Sequence, residues 1–134
     1  VYGENSKEIN LSNNKKIMVC VTNQKTSSRL IFKGDDTREN KNDKLFIVHI
    51  INKKDRVLYG NDDGEALEYL FDLAKQKDAE LIVQRSNNTE KSLIKVANDI
   101  EATHIVLGKS NNSDSLDLHK KISKNLKGIQ IIID

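Results

Sequence analysis

The chain has 134 residues, the length of one domain that can bury a core without metals or disulfides. Aromatics make up only 4%, so that core is built from Ile, Leu and Val. A formal charge of +2 is too balanced to imply nucleic-acid binding, and no apolar stretch approaches the roughly 20 residues of a membrane span. No signal peptide is visible. The lone Cys20 lies in an apolar run, cannot form an internal disulfide and fits a reducing cytosol. The chain begins with Val1 rather than Met, which reads as a piece of something longer or a processed product.

Residues 1–14 (VYGENSKEINLSNN) are polar without periodicity and read as a tail or linker, leaving one domain over 15–134. Ile17 to Val21 is a continuous apolar run, as expected of a strand buried on both faces. Thr22 to Ser27 reads as a polar loop, with Thr26 or Ser27 capping a short helix that carries Leu30 and Ile31. After Gly34, the ten residues Asp35 to Lys44 hold no apolar side chain. A short helix and then a solvated segment are expected there. Leu45 to Ile51 is a second buried strand and Asn52 to Gly60 a loop. Asp62 to Lys77 is the clearest helix, with Ala66, Leu67, Leu70, Leu73 and Ala74 on one stripe. Ala79 to Gln84 is strand three. Asn87 with Glu90 resembles a capping box, opening a helix that buries Leu93, Ala97 and Ile100. Thr103 to Leu107 is strand four. Ser113 can cap the last helix, which carries Leu118, Ile122 and Leu126 at helical spacing and stops at Gly128. Ile129 to Ile133 is the final strand.

Strands that alternate with helices predict an α/β fold: a five-stranded parallel sheet with helices on both faces and right-handed crossovers. In such sheets ligands sit at the carboxyl ends of the strands, where Gly108, Lys109, Ser110 and Ser113 follow strand four. Lys109 and Ser110 suit a phosphate or an acidic partner. The P-loop pattern fails, because Thr103 stands where its first glycine belongs. His49, His104 and His119 have no partner at metal-ligand spacing. Asp35-Asp36 and Asp62-Asp63 read as loop or helix-start residues, and Cys20 as inert packing. No serine lies in a nucleophile elbow, so no catalytic residue and no metal site is expected. Lys109, Lys120, Lys121, Lys124 and Lys127 give the C-terminal region a basic face, suited to an acidic domain or anionic headgroups.

Two segments carry a family resemblance. Lys16 to Ile31 (KIMVCVTNQKTSSRLI) resembles the "ILVCVSGSPSSERLI" segment of the universal stress protein domain found in KdpD-type potassium-responsive sensor histidine kinases. Ile105 to Ser110 (IVLGKS) resembles that variant's "IVLGKS" segment, and Gly34 falls on a glycine of the same family. The resemblance implies strand order 3-2-1-4-5 and a crevice flanked by Thr22, Asn23, Gln24 and Ser27 on one side and Gly108, Lys109, Ser110 and Ser113 on the other. Nucleotide-binding stress proteins resemble G-x2-G-x9-G-[ST]; here Gly108 is present, but Asn111, Lys121 and Ile122 hold the other three positions. An asparagine side chain obstructs the close backbone approach that glycine permits, which argues against ATP bound in that style. Some such kinase domains bind cyclic di-AMP through S-x-S and F-T-A-x-Y. Here these become Thr22 and Gln24, then Leu45 to His49, so Thr22 keeps a hydroxyl and His49 can stack or hydrogen-bond.

The resemblance therefore implies a non-catalytic cytoplasmic regulatory domain of a membrane-bound sensor kinase. It would respond to a small anionic ligand, with cyclic di-AMP ahead of ATP, or to other domains of the parent kinase. The alternative is a free-standing stress protein that binds ATP as a homodimer.

Overall fold

The computed structural model describes residues 14–21, 24–52, 62–108 and 113–134. Five strands and four helices alternate: β1 (Lys16–Val21), α1 (Gln24–Thr37), β2 (Lys44–Asn52), α2 (Asp62–Gln76), β3 (Glu80–Ser86), α3 (Thr89–Ile100), β4 (His104–Leu107), α4 (Ser113–Asn125) and β5 (Gln130–Ile133). All strand pairs are parallel and the order is β3-β2-β1-β4-β5, as expected. Val19, at the centre of β1, stands opposite Ile47 of β2 and Val106 of β4.

Alternating side chains of each strand feed two cores. On one face Ile17, Val19, Val21, Leu45, Ile47 and Val106 meet Leu30 and Ile31 of α1 and Leu70, Leu73 and Ala74 of α2. On the other, Met18, Cys20, Phe46, Val48, Ile50 and Ile105 meet Leu93, Val96 and Ala97 of α3 and Ile122 of α4. The apolar runs of β1 and β2 are thus continuous because both faces are covered. Cys20 is buried, and burial pushes its thiol up to about 12, so it packs as a small apolar side chain. No helix among the described residues is long and apolar enough to cross a membrane.

Three local expectations are corrected. Helix α1 starts at Gln24 and runs to Thr37, so Thr26 and Ser27 lie inside it rather than capping it. The polar stretch after Gly34 extends α1 by a turn because its charges are spent locally. Asp35 takes the Arg38 guanidinium and, at 3.4 Å, the Lys77 ammonium. The turn that follows is wound around Asp43, which is buried and accepts backbone N–H bonds from Lys15 (2.8 Å), Glu39 (2.8 Å) and Asn40 (3.4 Å). The cap of α3 is Asn88 instead of Asn87, its side chain accepting from the Lys91 N–H at 3.1 Å. Val96 joins Leu93 and Ala97 in the core, and Ile100 packs half-buried against them.

Gly34 allows α1 to lie close to the sheet: a Cβ there would come within 2.4 Å of Val19 Cγ2 and 3.0 Å of Leu45 Cδ1. Past the ends of α2, α3 and α4 the chain turns through left-handed residues: Asp78, Glu101 and Gly128. Only the last has the glycine that this conformation favours.

Candidate functional site at the switch point

Helix α1 leaves β1 to cover one face of the sheet, and α4 leaves β4 to cover the other. Since β1 and β4 are neighbours, the chain leaves their carboxyl ends toward opposite faces, the switch point at which sheets of this kind hold ligands in a crevice. Both helices start at that end of the sheet, bringing their N-terminal N–H groups and positive dipole ends to the crevice.

Of the residues expected to line it, Ser27, His49 and Gly108 are brought to this end. Ser27 lies in the opening turn of α1 and is buried. Gly108 follows β4 directly; a Cβ there would lie 3.3 Å from Leu30 Cδ1, so α1 lies close to the backbone at this position. His49, in register with Val21, shares the α1/α2 face with Leu45 and Ile47. Its Nδ1 lies 2.8 Å from the Val21 carbonyl oxygen. A carbonyl only accepts, so Nδ1–H is the donor there. The last carbonyl of β1 is thereby held to β2. Gln24 and Ser113 occupy the first positions of α1 and α4. Thr22, Asn23, Lys109 and Ser110 lie outside the described residues.

The residues aligned with the second half of the nucleotide motif turn away from the crevice. Ile122 is fully buried in the core, and Lys121 pairs with Glu90 at 3.1 Å. A residue that sequence reasoning passed over stands nearby. Arg29 of α1, one position before the Leu30 that faces Gly108, reaches the far end of the chain. It donates from Nη2 to the Asp134 main-chain oxygen (3.2 Å), and its Nε lies 3.7 Å from Asp134 Oδ2. Asp134 in turn donates its N–H to Leu107 O at 3.0 Å. No local sequence signal predicts this pair.

A groove of about 950 Å³ opens at the opposite pole, where β1, β2 and β3 begin; Lys16, Lys41, Lys44, Asp78 and Glu80 are among its lining residues. Its charges are mixed, and its more sheltered polar groups are spent on the protein. Arg38 holds Asp35 and the Lys77 carbonyl (2.6 Å), while Asp43 holds backbone N–H groups. Burial raises the Asp35 carboxyl, but hydrogen bonds and charge from Arg38 and Lys77 outweigh it and hold it below 3.8. For Asp43, burial is likewise outweighed by its backbone N–H donors and the Lys15 charge. At the same pole Thr103 donates its hydroxyl to Lys16 O (3.2 Å), and its Oγ1 accepts from Lys16 N–H (2.9 Å). His104 Nδ1 sits 2.7 Å from that oxygen, and burial, helped by Lys15, lowers the pKa of the ring. Among the described residues no three His, Cys, Asp or Glu side chains gather as a metal site.

No family model matches the chain. Nor does any curated protein match it. Solved structures do. A universal stress protein from Archaeoglobus fulgidus has a TM-score of 0.64 at 13% identity, covering 89% of this chain and 97% of its own. A universal stress protein in complex with cAMP has a TM-score of 0.62 at 16% identity, covering 90% of this chain and 96% of its own. A universal stress protein family protein from Arabidopsis thaliana with AMP bound has a TM-score of 0.59 at 10% identity, each chain being 90% covered. The chain therefore has the universal-stress-protein fold.

Proposed function

We propose that this chain is a non-catalytic regulatory domain that binds a small adenine nucleotide at the crevice between β1 and β4. The observation that carries the reading is the switch point itself: two helix starts from opposite faces converge where a glycine follows β4 and a histidine is fixed beside β1. The structural neighbours with cAMP and with AMP support an adenine nucleotide. Ile122 in the core and Lys121 on Glu90 replace the last glycine and hydroxyl of the stress-protein nucleotide motif, which favours a ligand with a single phosphate group over a triphosphate. In this reading the effect of binding is conformational. A ligand that binds one of two states more tightly biases the equilibrium between them.

The finer reading places this domain in a KdpD-type potassium-responsive sensor kinase, where cyclic di-AMP or contact with neighbouring domains sets the balance. Its support is the pair of segments Lys16 to Ile31 and Ile105 to Ser110. Calorimetric titration with AMP, cAMP, cyclic di-AMP and ATP tests both levels. Micromolar binding of AMP or cAMP with weak ATP is the expected result. Tighter binding of cyclic di-AMP than of AMP supports the kinase reading. Failure of all four to bind overturns the nucleotide reading.

A further inference from the structure

The geometry points to Arg29 as the group that reads a ligand's negative charge at this crevice, with Asp134 as a built-in substitute for that charge. This rests on the nucleotide reading above and deepens it. Arg29 is neither a core residue nor part of a helix cap; its guanidinium is about half exposed and is turned to the carboxyl end of the sheet. Its position there is held from two sides. Leu30, the next residue, lies against Gly108, and Asp134 is hydrogen-bonded to Leu107, the residue before Gly108. The arginine therefore stands within a residue or two of Gly108, on the β4–β5 side of the crevice, while His49 stands on the β2 side.

The pair that Arg29 makes with Asp134 is a weak one. The two side chains approach only to 3.7 Å and both reach solvent, where such pairs add little to stability. A guanidinium prefers two parallel bonds to a planar or tetrahedral oxyanion, and its single 3.2 Å bond to the main-chain oxygen leaves that capacity largely unused. A phosphate monoester carries more charge than one carboxylate and accepts both bonds. It therefore displaces Asp134 and takes Arg29 without disturbing the core. The neutral part of the nucleotide then extends toward His49. With strands about 4.8 Å apart, the three intervals from β2 to β5 span about 14 Å. That span fits a nucleoside monophosphate laid across the ends of β1 and β4.

Two substitutions with opposite expected signs test this, each titrated with AMP and with adenosine. Arg29→Gln should weaken AMP about tenfold, the loss expected of one charge-assisted contact, and leave adenosine unchanged. Asp134→Asn should tighten AMP about two- to threefold, since it removes an exposed competitor, and again leave adenosine unchanged. Equal AMP affinity for Arg29→Gln and the unaltered chain overturns the role of Arg29 while leaving nucleotide binding in place. Equal losses for AMP and adenosine overturn it too, because the arginine would then shape the crevice without reading charge. If the unaltered chain binds neither AMP nor adenosine, the nucleotide reading and this inference fall together.

Discussion

Single residues at the sheet surface set how closely the layers approach. The Gly34 position has no room for a side chain: Val19 and Leu45 already fill the space a methyl group would need. Gly34→Ala should cost about 1–3 kcal/mol in chemical denaturation, since either α1 or β1 must move. Asp43 sets the turn before β2, and its removal leaves three backbone donors without their acceptor. Asp43→Ala should cost about 1–3 kcal/mol at neutral pH. The carboxyls of Asp35 and Asp43 are held below the ordinary 3.8, so as the medium acidifies the unfolded chain takes up protons first. Their contribution is complete above about pH 4 and drains away as pH falls through the lower folded-state values. His104 acts in the same direction at milder acidity. Its folded-state value lies below 6.5, so stability is full above that and declines as pH falls. Denaturation midpoints followed from about pH 7 to about pH 5 should fall less for His104→Gln than for the unaltered chain.

Helices and strands show which signals a sequence carries locally. The strands were legible because buried parallel strands are apolar on both faces, as Ile17 to Val21 and Leu45 to Ile51 are. The end of α1 was not, because Asp35, Thr37 and Arg38 hold it through charge and backbone contacts rather than an apolar stripe. The start of α3 was misplaced by one residue because Asn87 and Asn88 are both able caps, and only the fold decides between them. Asn88→Ala should cost about 1 kcal/mol, while Asn87→Ala should cost little. Glu101 closes the same helix at φ 57°, with its N–H shared between the Ala97 and Asn98 carbonyls. Glu101→Gly keeps those bonds, removes the Cβ penalty and should raise stability by about 0.5–1 kcal/mol. Thermal melts of the three variants compare these effects directly.

At the scale of the molecule, strand order decides what the ends of the strands can do. The strand order was legible because alternating strands and helices imply a parallel sheet, and the resemblance supplied the order in which β1 and β4 become neighbours. The Arg29–Asp134 pair was not, because its members are 105 residues apart and meet only once β5 lies beside β4. Ion pairing at that distance leaves no periodic trace. The same placement makes the crevice sensitive to salt. Any AMP affinity that depends on Arg29 should weaken as ionic strength rises, whereas adenosine binding should not; titrations in low and high salt separate the two.

The central place of β1 also has a consequence for synthesis. β1 is made before both of its neighbours, and the second of them, β4, is made only after three helices and two other strands. A nascent chain that has emerged as far as Ser86 already holds the three strands of one half of the sheet, with the inner edge of β1 still unsatisfied. That edge is a template for any other extended chain until residues 104–107 arrive to occupy it. The interval between emergence of Ser86 and of Leu107 from the ribosome is therefore when this protein is most exposed to mispairing. Slowing emergence over that interval should lower the soluble yield more than slowing it over residues 113–125, once β4 has emerged.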